Sequence, residues 1–150
     1  MECGSTRTIE KLMPVTEETP QFKNIFIRDV NCKGAFQGIY LQGLPEMKLE
    51  NILLENIRME SDYGMICTDA KNVKIKNLFL KTKNTPVIDL RNSTDVSIDS
   101  LVITNESLPL VRVSGSRTGI TVFKNAGITN RENQVVIEKE VAKNMVQVVK

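Results

Sequence analysis

The sequence contains no histidine and no tryptophan. Without imidazole, Ser-His-Asp and Cys-His nucleophile arrangements, histidine general bases and histidine metal sites are excluded. Without indole, the commonest stacking platform for a sugar ring is missing as well. Cysteine is scarce: Cys3, Cys32 and Cys67 are an odd number with no CxxC pair, which indicates neither a disulfide framework nor a zinc site. Cys32 and Cys67 are expected to be buried and unreactive. No Asp-x-Asp-x-Asp pattern is present for calcium, so neither a metal nor another cofactor is expected.

Neither sign of charge dominates. Lysine plus arginine number 20 and aspartate plus glutamate 18, a net charge of +2 that gives no reason to expect nucleic acid or an anionic membrane as partner. No apolar run approaches the roughly 18 residues needed to span a bilayer. The stretch "MECGSTRTIEKLMPVTEETPQ" also lacks the apolar centre of a signal peptide. The expectation is a cytoplasmic chain, or one whose N-terminal sequence has been removed. With 150 residues, 41% of them hydrophobic, one domain is expected.

What is present is a repeat. Aligning "QFKNIFIRDV", "MKLENILLENI", "VKIKNLFLKTK" and "VSIDSLVITNE" puts Phe22, Leu49, Ile75 and Ile98 in register, 27, 26 and 23 residues apart, with Val122 following after 24. A second set, "GIYLQG", "GMICTD", "PVIDLR" and "PLVRVS", places Leu41, Cys67, Leu90 and Val113 at spacings of 26, 23 and 23. Within each copy apolar residues alternate with polar ones and isoleucine and valine are frequent, which is the signature of short strands. A leucine-rich repeat has a similar period but one strand per repeat, a leucine core and its asparagine after the strand. Three strand-like segments per period, with the asparagine inside the apolar run, fit a parallel β-helix better.

The fold expected is therefore all-β, a right-handed single-stranded parallel β-helix of about five rungs of 23–27 residues. Residues 1–20 read as a tail or connecting loop, 21–125 as rungs, and 126–150 as C-terminal strands or a cap. Asn24, Asn51, Asn77 and Ser100 fall at matching bends, where asparagine tolerates the left-handed conformation; they are read as one stacked amide ladder, or more simply as separate turns. Open rung ends are edges that invite association, with a second copy among the partners.

Two pieces, "TPQFKNI" and "GIYLQGLPEM", carry a family resemblance. Over roughly residues 15 to 125 the chain resembles the C-terminal part of bacterial family-28 glycoside hydrolases, the polygalacturonase family. That resemblance implies a β-helix within a longer, usually secreted or periplasmic enzyme that hydrolyses pectic polymers with inversion. The family's paired Asp-Asp and its Gly-His-Gly segment have no match here, so no catalytic residue is carried over and this chain alone is expected to be inactive. Inversion needs two carboxyl groups roughly 6.5–9.5 Å apart. In the family the catalytic side chains point outward from the strand class to which "GIYLQG" belongs. Tyr40 and Gln42, then Arg91 and Arg112 on later rungs, would hold outward positions on an extension of that face, as outer subsites for a pectic oligosaccharide or as ordinary solvent-facing residues. The alternative is an independent β-helix module that binds carbohydrate or assembles with another chain.

Overall fold

A computed structural model describes residues 12–129 and 131–150, with Arg131 described in its backbone alone. Residues 1–11 of the expected tail, Cys3 among them, lie outside the described residues. Residues 12–20 run without regular structure apart from a turn in which the Thr19 N–H donates to the Thr16 carbonyl.

The rest is a parallel β-helix of about five turns. Its strands are β1 (Lys23–Gln42), β2 (Leu49–Thr68), β3 (Ala70–Thr82), β4 (Ile88–Arg91), β5 (Thr94–Thr104), β6 (Val111–Ser114), β7 (Thr121–Lys124), β8 (Val135–Ile137) and β9 (Val146–Val149). Every pairing is parallel. From β2 the sheet divides into two stacks, β2-β3-β5-β7-β9 and β2-β4-β6-β8, while β1 pairs with β2 along both. A four-residue helix, α1 (Arg131–Gln134), and a 3-10 turn at Lys143–Met145 lead into β8 and β9, the last partial rung.

The long strands turn corners without breaking their hydrogen bonds because left-handed residues bend them. Asn24 and Asp29 bend β1, Asn51 and Asn56 bend β2, and all four have φ between 56° and 59°. Asparagine and aspartate reach this region at the least cost of any residue with a side chain. Between bends the chain alternates, and the inward residues stack: Ile52 on Val73 and Val96, Leu54 on Ile75 and Ile98, Met65 on Ile88 and Val111. The interior is almost wholly aliphatic, with Phe123 its one fully buried aromatic among the described residues. Each such side chain contributes about 1.5–3 kcal/mol on leaving water. At Gly64 the next rung comes so close that a Cβ would sit 2.0 Å from the Val87 carbonyl oxygen, the acceptor of the Met65 N–H.

The register departs from the sequence alignment in one informative way. The column Leu41, Cys67, Leu90 and Val113 is as expected and continues to Ile137. Leu49, however, stacks on Ala70, and Ile75 stacks on Leu54. The stretch "LENILLENI" holds the same Asn-apolar motif twice, five residues apart, and each copy belongs to a different bend of one rung. Aligning the first copy with the wrong partner hides a short 21-residue step from Leu54 to Ile75. Farther on, Phe123 holds the inward place on Ile98, and Val122 faces outward opposite Ser97.

The single asparagine ladder is corrected to two. In the first, Asn72 donates through Nδ2 to Asn51 Oδ1 (2.7 Å) and Asn51 to Asn24 (3.0 Å). In the second, Asn77 donates to Asn56 (2.9 Å) and Asn56 to Asp29 (3.0 Å). Ser100 holds the next left-handed bend of that column, and beyond it Asn125 Nδ2 bonds Asp99 Oδ1 at 3.1 Å. Thus Asn24 and Asn51 belong to one ladder and Asn77 to the other, while Ser100, next in the column of Asn77, bonds Asp99 through its hydroxyl instead. Replacing Asn56 with alanine removes an acceptor and a donor and leaves at a left-handed bend a residue that tolerates it less well than asparagine, an expected loss of about 1–3 kcal/mol. Asn56→Gly relieves the backbone part alone, so its urea midpoint should fall between those of Asn56→Ala and the parent.

The cysteines also part company. Cys67 is fully buried, and burial pushes its thiol up to about 11. Cys32 is only partly covered, and among the described residues its strand β1 pairs with β2 alone. In a Cys3→Ser background, a thiol reagent should label Cys32 in the folded protein and Cys67 only in denaturant, as read by mass spectrometry of peptides.

Candidate functional site

The stack β4-β6-β8 and the strand ends above it, residues 39–42 of β1 and 65–68 of β2, form one wall. Its outward side chains fall in two columns. Tyr40, Ile66, Asp89, Arg112 and Val136 make the first, and Gln42, Thr68, Arg91 and Ser114 the second. All four residues expected to contact sugar therefore share a face. They do not converge on one point, since at about 4.8 Å per rung Tyr40 and Arg112, three rungs apart, stand roughly 14 Å from one another. A ligand touching both would be an extended chain running along the helix axis.

Tyr40 is 47% exposed, and its hydroxyl donates to Gln42 Oε1, so the two act as one aromatic-amide unit at the upper end. Arg112 is engaged below by Glu138, with Nε to Oε1 at 3.2 Å. Asp89 lies between the arginines. Burial raises its carboxyl above the usual range, Arg112 and Arg91 pull it back, and Glu138 adds to the rise.

A second group, absent from the sequence expectations, closes the corner beside this wall. Asp69, Asn92 and Gly115 follow Thr68, Arg91 and Ser114 and are all left-handed, with φ of 50°, 49° and 97°. Asp69 is only 2% exposed, and Arg117 Nη2 reaches its Oδ1 at 3.4 Å. Lys48 Nζ donates to the Asn92 carbonyl at 3.1 Å, the Arg117 N–H to Asn92 Oδ1 at 3.1 Å, and the Gly115 N–H to Glu140 Oε1 at 2.9 Å. Desolvation lowers the Lys48 ammonium below its ordinary value and raises the Asp69 carboxyl, the latter against the opposing pull of Arg117. The sequence signal for this corner was a residue type that tolerates the left-handed region, Asp69, Asn92 or Gly115, directly after three of the four "GIYLQG"-type strands; nothing local pointed to Arg117, which lies 48 residues from its partner.

Chemically, the corner is a clamp on a bend, and its one buried carboxylate is already tied to a cation. The wall beside it offers an aromatic edge, an amide and guanidinium groups, the groups that bind acidic sugars. Among the described residues there is no cluster of three or more Cys, Asp or Glu able to hold a metal ion.

The raised carboxyl of Asp69 fixes the sign of its contribution to stability. The folded state holds the proton more tightly than the unfolded chain, whose value is 3.8. This contribution is therefore fully present below that value and is lost as pH rises through the higher folded one. Asp69→Asn keeps the shape and suits the left-handed bend. Urea midpoints from about pH 3.5 to 7 should show the parent losing stability relative to this variant as pH rises.

Comparison with protein-family models, with curated proteins and with solved structures finds no match for this chain.

Proposed function

We propose that this chain is the C-terminal β-helix portion of a pectin-degrading, polygalacturonase-like glycoside hydrolase, supplying scaffold and outer substrate subsites while the catalytic carboxyl pair resides on other rungs. The observation that carries the reading is the alignment of Tyr40, Gln42, Arg91 and Arg112 along one wall built from the "GIYLQG"-type strands. The sequence resemblance in "TPQFKNI" and "GIYLQGLPEM" supports it from the other side. With the chain axis along the stack, one galacturonate unit would meet the Tyr40 ring and the Gln42 amide together, and a unit two rungs farther on would meet the Arg91 guanidinium.

The same geometry supports the absence of hydrolysis by the chain alone. An inverting mechanism needs one protonated carboxyl at the leaving oxygen and one free carboxylate that activates water. Asp69 is buried against Arg117, and Glu138, the carboxylate whose charge reaches Asp89, is itself paired with Arg112. An independent binding or assembly module is the second reading, favoured by the edge of β1 that no strand among the described residues pairs with.

The test is titration calorimetry with a defined oligogalacturonate and a neutral galacto-oligosaccharide of equal length. The acidic sugar should bind and the neutral one should not. Tyr40→Ala and Arg91→Gln should each weaken binding by about 5- to 30-fold. Polygalacturonate incubated with the chain should yield no more reducing ends than a heat-inactivated control; release above that control would sink the assignment of catalysis to other rungs.

A further inference from the structure

β1 is hydrogen-bonded to β2 on one edge, and among the described residues no strand pairs with its other edge. Ile52, Leu54 and Ile57 are buried in β2, whereas of their inward partners in β1 Ile25 and Val30 are only partly covered and Ile27 is 43% exposed; Cys32, partly covered, faces Met59, which is partly covered too. The apolar requirement for a covering strand is plain. Apolar exposure alone does not say what covers it.

The outward charges do. Lys23, Arg28 and Lys33 of β1 face Glu50, Glu55 and Glu60 of β2, and these face Lys71, Lys76 and Lys81 of β3. Asp99 of β5 and Lys124 of β7 carry one of these columns on, so that from Arg28 to Lys124 the sign changes at every rung. Glu60 makes the contacts explicit, with Lys33 Nζ at 3.9 Å on one side and Lys81 Nζ at 3.8 Å on the other. Opposite charges on directly facing strand positions are favourable, and like charges are not. The open edge therefore presents three cations spaced five residues apart, in the same arrangement by which β3 receives the three glutamates of β2.

We infer that the open edge of β1 docks a preceding parallel rung of the parent enzyme, with acidic outward residues at these three columns and apolar residues turned inward between them. The inference rests on the reading of this chain as the C-terminal portion of a longer helix, and it adds the chemistry of the neighbouring rung. A second copy does not meet the requirement. Placed head to head it brings Lys23, Arg28 and Lys33 against themselves, and placed head to tail it offers Val149 to the column of Arg28. Asn24 fits the arrangement too: among the described residues its amide nitrogen has no acceptor, and a ladder residue on the next rung would supply one.

The edge can be probed with a capped peptide of residues 49–60, "LENILLENIRME", which carries the three glutamates at the required spacing. Its control carries lysine at those three positions. The readout is the rate at which a thiol reagent labels Cys32 in the Cys3→Ser protein, since Cys32 faces inward on the edge strand. The acidic peptide should slow labelling about fivefold or more, progressively less so as salt is added, and the lysine peptide should not. Equal protection by both peptides, or by neither, overturns the inference, as does a concentration-dependent dimer of the chain alone that protects Cys32. Oligogalacturonate binding by the same protein keeps the two ideas apart. Peptide discrimination without sugar binding removes only the assigned function, and sugar binding without peptide discrimination removes only the acidic rung.

Discussion

Every rung of this protein depends on the hydrogen bonds it makes with the rungs above and below. A strand in a parallel stack cannot satisfy its own N–H and C=O groups, and each left without a partner away from water costs as much as a lost hydrogen bond. This constraint explains why the interior is built from columns, with Leu54, Ile75, Ile98 and Phe123 seated one on another. It also explains why the two ends differ. The C-terminal strands shorten to the four residues of β7 and β9 and the three of β8, whereas β1 is a full 20-residue strand that among the described residues pairs along one edge.

Corners are the second requirement, and they are met by chemistry that is local in sequence but cooperative in space. A left-handed residue costs backbone energy anywhere, and asparagine costs least among residues that also carry an amide. Stacking asparagines turns that cost into an advantage, because each amide gives its hydrogen to the carbonyl of the rung before. The Asp69 corner solves the same problem with charge: its carboxylate, the Asn92 amide and the Arg117 guanidinium hold successive turns together where no amide ladder forms.

The outer surface inherits the periodicity of the interior. Because inward residues stack in columns, so do outward ones, and a wall of equivalent positions runs along the axis whatever residues occupy it. This is why Tyr40, Gln42, Arg91 and Arg112 share a face although 72 residues separate the first from the last. The same geometry brings charges into facing rows, and the alternation of sign from β1 to β3 makes those rows attract. A slip by one residue would turn the apolar set outward, and a slip to the neighbouring asparagine motif would leave Glu50 and Glu55 against the wrong bends.

By itself the sequence determined the class of fold, because alternation, β-branched residues and a period near 25 are local or one-dimensional properties. It also determined the column Leu41, Cys67, Leu90 and Val113, where each strand has a single possible partner motif. Only the tertiary structure decided between two asparagine motifs five residues apart, and so separated Asn24 and Asn51 from Asn77 and Ser100. It alone showed Cys32 half open, since burial depends on a neighbouring rung and not on residue type. It alone joined Asp69 to Arg117. Pattern within a strand is written in adjacent residues, whereas register, burial at an edge and long-range charge pairing depend on which rungs come to lie side by side.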